Sequence, residues 1–167
     1  MKLDHAQFSA ITTLVFDVDG VFTDSKVLIT EAGELLRTMN TRDGQAIVIA
    51  LNEGYHIAII TKGYSKGVRI RFENLGVKHI YDCQKNKQDA FDDLKTNLGL
   101  ATSEILYMGD DIPDIPLLSQ VSIAACPKDA VPEVHNRCNY ISSKNGGQGC
   151  VREVIEKVMR TQGKWNF

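Results

Sequence analysis

An α/β fold with a doubly wound parallel sheet is what this sequence predicts, and two observations carry it. Short apolar runs rich in β-branched residues, TTLVFDV, HIAIIT, EILYMGDD and VSIAA, alternate with segments of helical period. Strands separated by helices join by right-handed crossovers, which leaves helices on both faces of one parallel sheet. The second observation is where polar chemistry sits. TTLVFDV, HIAIIT and EILYMGDD reach Asp17, Thr61 and Asp110 at their carboxyl ends. In such sheets the carboxyl ends of the strands form the edge where ligands bind.

TTLVFDV reads as a buried strand up to its first acid. KVLITEAGELLRTMN, residues 26–40, reads as a β-hairpin around the turn Glu31-Ala32-Gly33. In DGQAIVIALNEG the apolar residues Ala46, Ile47, Ala50 and Leu51 have helical spacing, and Gly54 is a stop. HIAIIT is a second buried strand. SKGVRIRFENLG is a helix opened by Ser65 as N-cap and closed by Gly76. KHIY is a short strand, and KQDAFDDLKTNLG is a helix with Ala90, Phe91 and Leu94 on one face.

The second half continues in the same rhythm. EILYMGDD is a strand, DIPLLSQ a short helix, VSIAA a strand, DAVPEVHN a helical turn and CNYIS a last short strand. A closing helix, VREVIEKVMRTQ, follows the glycine-rich NGGQG. Repeats, low-complexity tracts and linkers are absent, so residues 1–167 are expected to form one Rossmann-like domain with a hairpin flap. The hairpin, one helix and one strand fill the interval from Asp17 to Thr61. A helix and a short strand fill that from Thr61 to Lys87. Neither has room for a folded cap domain.

Composition narrows the function classes. A chain 43% hydrophobic and 24% charged is an ordinary globular protein. Its formal net charge of -2 argues against nucleic acid and against anionic membrane as partners. No apolar run approaches the roughly 20 residues that span a bilayer. The opening MKLDHAQFSA lacks the apolar core of a signal peptide, so a cytoplasmic location is expected. Cys83, Cys126, Cys138 and Cys150 are scattered, which fits reduced thiols packed as small hydrophobes. The four histidines form no ligand set.

VFDVDGVFTD places Asp17 and Asp19 two residues apart, on one face if the chain stays extended. Two such charges repel unless a cation lies between them or one is protonated. With Asp110, Asp111 and Asp114 on the same rim, they form a cluster of hard oxygens that suits Mg²⁺. Asp17 is then the expected nucleophile on phosphorus and Asp19 the general acid and base. Thr61 and Lys87 are expected to hold the phosphoryl oxygens. Singly, each feature has a plain structural explanation: aspartates terminate strands, and acids cap helix starts. Their conjunction, in order and at strand ends, points to phosphoryl chemistry.

DVDGVFTD, IIT, Asn86-Lys87 and GDDIPD resemble the four motifs of the haloacid dehalogenase superfamily of phosphatases. The second aspartate looks like the acid/base of its phosphatases. GELLRTMNTRDGQAI, ENLGVKHIY, CPKDAVPEV and GGQGCVREVIEKV are similar to the uncapped subgroup acting on 3-deoxy-D-manno-octulosonate 8-phosphate, and the match runs from about Thr13 to about Met159. The metal is expected on Asp17, the main-chain carbonyl of Asp19 and Asp110, supported by Asp111 and Asp114. Arg42 and Asp43 match a substrate-side motif of the subgroup. The subgroup's arginine after the motif-two threonine is missing from Thr61-Lys62-Gly63-Tyr64-Ser65, so Lys62 or Lys66 is the expected positive charge there, as a point charge rather than a fork.

The resemblance implies a homotetramer in lipopolysaccharide synthesis, with hairpin and chain end reaching a neighbour's active site. Val27, Ile29, Leu35 and Met39 of the hairpin are expected to be exposed and to dock there, and GKWNF either reaches across or is disordered. Alternatives are a phosphatase of a nine-carbon keto sugar acid 9-phosphate, one of macromolecules, and a non-catalytic binding module.

Overall fold

The computed structural model describes residues 5–167. In chain order the first half holds α1 (His5–Ala10), β1 (Thr13–Phe16), the hairpin strands β2 (Leu28–Ile29) and β3 (Leu35–Leu36), α2 (Thr41–Asn52), β4 (His56–Ile60) and α3 (Lys66–Asn74). It continues with β5 (His79–Tyr81), α4 (Lys87–Leu98), β6 (Ile105–Met108), α5 (Ile115–Leu118), β7 (Ile123–Cys126), α6 (Pro132–His135), β8 (Tyr140–Ile141) and α7 (Cys150–Thr161). The expected strands and helices are present. α1 is an addition that its short, mixed stretch did not announce.

β1 lies in the middle of a six-stranded parallel sheet of order β5-β4-β1-β6-β7-β8. Phe16 is in register with Ile59 on one side and Met108 on the other. Side chains alternate across the sheet. Leu14 and Phe16 join Phe8, Ile47, Ile59 and Val154 on one face, while Val15 packs with Ile60, Phe91 and Tyr107 on the other. Helices α1, α2, α3 and α7 cover the first face, and α4, α5 and α6 the second. Along the chain the strands step outward from β1 through β4 to β5, then return to β6 on β1's other side. The order therefore reverses between β1 and β6, and a crevice opens above their carboxyl ends.

The hairpin is shorter than its sequence suggested. Each strand has two residues, with Leu28 opposite Leu36 and Ile29 opposite Leu35. Leu28 is 68% exposed and Ile29 65%. Met39, expected on that exposed face, instead packs against the main core, because the chain has already turned inward toward α2.

The tail also differs from expectation. Trp165 is buried in the first core, with the guanidinium groups of Arg152 and Arg160 at 5.4 and 5.9 Å from its ring. A partner for this ring exists within the chain, and of the two tail aromatics only Phe167 stays exposed. Cys126 and Cys150 are buried as expected of small hydrophobes, whereas Cys83 lies exposed.

Candidate active site

Asp17 begins where β1 ends. Its backbone N–H donates to the Met108 carbonyl at 3.0 Å, which ties the β1 exit to the β6 exit across the switch point. Asp17 Oδ1 accepts from the Val18 N–H at 2.7 Å, and Oδ2 lies 2.7 Å from Lys87 Nζ. Lys87 is the first residue of α4, whose N-cap Asn86 accepts from the Gln88 N–H. The Lys87 ammonium, 3% exposed, reaches inward and also contacts Asp114 Oδ1 at 2.6 Å.

Asp114 is fully buried and fully engaged. Its Oδ1 also accepts from the Tyr107 hydroxyl at 2.6 Å, and its Oδ2 from the N–H groups of Asp110 and Asp111 at 3.0 and 3.3 Å. One oxygen each of Asp17, Asp110 and Asp114 lies within 4.8 Å of the other two, a spacing that suits a metal. With its own oxygens taken, Asp114 fits the role of orienting Lys87 and the Asp110 loop. Asp17 and Asp110 fit as ligands, since their oxygens have fewer protein donors. Asp111 is exposed and accepts from the Ile112 N–H at 2.8 Å, so it shapes the turn.

Asp110 needs space that only glycine leaves. A Cβ on Gly20 would stand 1.9 Å from Asp110 Oδ2, and Gly20 has φ +83°, where other residues are strained. The glycine of DVDG therefore serves the fourth motif as well as its own turn.

The electrostatics ask for a cation. Burial, then the charge of Asp114, push Asp17 up to about 6 against the pull of Lys87. Burial, then Asp114, Asp17 and Asp111, push Asp110 up to about 7. Burial alone would favour a neutral Lys87, but the charges of Asp17 and Asp114 outweigh it and hold the ammonium above its ordinary value. Three carboxylates thus face one ammonium in a partly dehydrated crevice. A hard divalent ion with oxygen preference fits the Asp17 and Asp110 donors.

The expected repulsion between Asp17 and Asp19 is resolved differently from the sequence picture. Backbone N–H groups of Val21, Phe22 and Thr23 all turn back onto the Val18 carbonyl, so the chain is not extended beyond the strand. Asp19 faces a separate cation, Arg37 of the hairpin, with Nε at 2.7 Å from Oδ1 and Nη2 at 3.0 Å from Oδ2. Each aspartate has its own counter-charge.

Thr61 closes the set at the end of β4. It is buried, and its N–H donates to the Tyr81 carbonyl at 2.9 Å. Asp17, Asp19, Thr61, Lys62, Lys87 and Asp110 line one open cavity of about 280 Å³.

Residues 57–155 match a family described as haloacid dehalogenase-like hydrolase. The chain is 38% identical over 159 residues to 3-deoxy-D-manno-octulosonate 8-phosphate phosphatase KdsC of Escherichia coli K12, covering 95% of this chain and 85% of that one. The chain belongs to the haloacid dehalogenase-like hydrolases. The crystal structure of the 3-deoxy-D-manno-octulosonate 8-phosphate phosphatase of Yersinia pestis matches with TM-score 0.94 at 32% identity, over 96% of this chain and 86% of that one. The corresponding enzyme of Moraxella catarrhalis, solved with magnesium, phosphate and KDO, matches with TM-score 0.92 at 29% identity, over 95% and 91% of the two chains.

Two residues expected at the substrate of this hydrolase lie elsewhere within the chain. Arg42 is exposed and lines a separate cleft of about 420 Å³ with Asn40, Lys144 and Arg152. Asp43 is fully buried, and its Oδ1 accepts from the Arg152 N–H at 2.8 Å. It caps α7, whose own N-cap position is Gly149 and has no side chain to offer. Burial pushes its carboxyl up to about 6 despite those N–H groups. A carboxylate so enclosed within the chain fits a structural role at the start of α7. Lys62 is exposed on the cavity rim.

Sequence reasoning missed Arg37 and Tyr107. Arg37 follows the exposed strand β3 and resembles any solvated hairpin residue. Tyr107 sits within a strand run and resembles core.

Proposed function

We propose that this chain is a magnesium-dependent phosphatase that converts 3-deoxy-D-manno-octulosonate 8-phosphate to the free sugar acid and phosphate. The observation that carries the reading is the Asp17 carboxylate, poised beside Asp110 at the switch point with one oxygen on Lys87. Kinship with the KdsC phosphatases over nearly the whole chain supplies the substrate.

Asp17, the main-chain carbonyl of Asp19 and Asp110 would hold the magnesium, with Asp111 and Asp114 behind them. The ion, when bound, offsets the charge that accumulates on the transferring phosphoryl group. An Asp17 oxygen attacks phosphorus as the bond to the sugar oxygen breaks, and Asp19 gives that oxygen its proton. Water then attacks the aspartyl-phosphate, Asp19 takes the proton back, and phosphate leaves with Asp17 regenerated. Thr61 and Lys87 hold the phosphoryl oxygens throughout.

A cavity of about 280 Å³, open to solvent, lies at the small end for enclosing a ligand of this size. Leu28, Ile29, Leu35 and Leu36 are exposed on the hairpin without a partner among the described residues. Residues 1–167 are accordingly read as a single domain that assembles as a homotetramer, with hairpins completing neighbouring sites. Arg42 on its outer cleft and Lys62 on the rim are the cations offered to the sugar carboxylate. Among the described residues no helix is long and apolar enough to cross a membrane. The proposed setting is the cytoplasm, in lipopolysaccharide core synthesis.

Steady-state turnover on a panel of phosphorylated sugar acids tests the reading. The octulosonate 8-phosphate should give the highest kcat/KM. Preference for a nine-carbon keto acid 9-phosphate would shift the assignment within the subgroup, and inactivity on every phosphate in magnesium would end it.

A further inference from the structure

We propose that Arg37, on the hairpin, is a positioning residue that aims Asp19 at the leaving oxygen of the substrate. The proposal rests on the acid/base role given to Asp19 above. An isolated surface ion pair would carry little weight. This one differs in three respects. The Arg37 side chain is only 8% exposed although its hairpin is largely exposed, so it is turned in against the pocket wall. Its Nε and Nη2 grip both Asp19 oxygens as a fork, at 2.7 and 3.0 Å. Its remaining nitrogen, Nη1, donates to the Leu35 carbonyl at 3.1 Å, which anchors the guanidinium to the hairpin backbone.

Asp19 needs such a hold. Its side chain is 39% exposed, and Arg37 supplies the only side-chain hydrogen bonds it makes among the described residues. Without the fork the carboxylate is free to rotate into solvent. The fork also sits at the reacting centre. A Cβ built on Gly63 would lie 3.4 Å from Arg37 Nη2, 3.4 Å from Asp19 Oδ2 and 4.0 Å from Thr61 Oγ1. The guanidinium, the acid/base and the phosphoryl-holding hydroxyl therefore converge around Gly63.

The chemistry gives a readout that a merely structural role would not move. Asp19 enters the step protonated on one oxygen while the other still accepts from Arg37, and it gives that proton to the alkoxide as the phosphorus–oxygen bond of an alkyl phosphate breaks. A 4-nitrophenolate leaves unaided. Hydrolysis of the aspartyl-phosphate, which also uses Asp19, is common to every substrate, so a misaimed Asp19 discriminates only in the first half-reaction: kcat/KM falls for alkyl esters and is spared for the aryl ester.

The test compares wild type, Arg37→Gln and Arg37→Lys in saturating magnesium. The substrates are the octulosonate 8-phosphate, a plain alkyl phosphate lacking a carboxylate, and 4-nitrophenyl phosphate. General acid catalysis contributes about 10²–10⁴-fold, and loss of aim should remove a part of it. Arg37→Gln should lower kcat/KM about tenfold to a hundredfold on both alkyl esters and less than about threefold on the aryl ester. Arg37→Lys, with one point of attachment, should fall between. Should Arg37→Gln fail to fold, Arg37→Lys carries the test and should show the same alkyl-selective loss at smaller size. Equal losses on all three substrates, or a loss confined to the octulosonate, would overturn the proposal and leave the phosphatase reading intact. A wild type inactive on every phosphate would overturn both. If wild type hydrolyses alkyl phosphates but ignores the octulosonate, only the substrate assignment fails, and the alkyl-to-aryl comparison decides Arg37.

Discussion

Lys87→Met removes one charge from the centre of the site while keeping an aliphatic stem of similar length. In the folded protein the ammonium is 3% exposed and bridges Asp17 Oδ2 at 2.7 Å and Asp114 Oδ1 at 2.6 Å. Its removal leaves two buried carboxylates facing each other. Removing one partner of a buried ion pair costs about 3–5 kcal/mol. At about 2–4 °C per kcal/mol for a chain of this size, Tm in chelator should fall by about 10 °C.

The deficit should depend on pH, and the sign follows from the carboxyls. Asp17 stands at about 6 with Lys87 present, above the 3.8 of an unperturbed aspartate, and losing the ammonium moves it higher. A carboxyl raised in the folded state favours folding below its unfolded value and loses that contribution as pH rises through its folded value. At pH 5 Asp17 is therefore protonated and donates to Asp114, and the deficit is small. As pH rises to 8 Asp17 ionises and the deficit grows. Thermal melts of wild type and variant at pH 5 and pH 8, with chelator or magnesium, measure it. Magnesium should narrow the gap at pH 8 by restoring positive charge beside Asp17. A deficit equal at both pH values and indifferent to magnesium would refute the reasoning, since it would show lost packing rather than lost charge.

Asp17→Asn should reduce turnover by about three orders of magnitude or more while the fold persists, and trapping of radiolabelled phosphoryl on Asp17 in wild type checks the covalent step. With Asp17 at about 6 and Asp110 at about 7, the chelated wild type should lose stability as pH rises through that range. Magnesium binds the ionised pair, so the rise in Tm on adding it should be larger at pH 8 than at pH 5.5, and chelation should abolish activity. Glutamate at Leu28 and Leu36, both exposed on the hairpin, should give smaller species by light scattering and lower kcat/KM for the sugar phosphate more than for an aryl phosphate. Met39 is unsuited to that test because it packs into the core.

Much of the site was legible because the chemistry is local in sequence and the sheet is simple. Asp17, Thr61 and Asp110 could be placed on one rim since each follows a run of buried β-formers, and parallel strands bring their carboxyl ends together. Lys87 could be added because Asn86 marks the start of a helix leading back from that rim. The pairing of charges was less accessible. Asp17 and Asp19 line one cavity, as alternation predicts, but beyond them the chain turns back onto the Val18 carbonyl and each meets a different cation, Lys87 and Arg37. Asp43 was placed at the substrate only by resemblance to a subgroup motif, and its partner within the chain, the α7 N-terminus, lies far away in sequence.

By itself the sequence determined the alternation of strands and helices, the rim at the strands' carboxyl ends and the acids, hydroxyl and ammonium that occupy it. All of these follow from short-range periodicity and from residues at strand ends. Tertiary structure alone decided which cation serves which carboxylate, that Asp114 is consumed by Lys87, Tyr107 and two backbone N–H groups, and that Arg37 holds Asp19. It also decided that Trp165 folds back onto Arg152 and Arg160. The physical reason is the same in each case. Hydrogen bonds and ion pairs form between side chains a few ångströms apart, and residues distant along the chain acquire that proximity only when the sheet and its helices have packed.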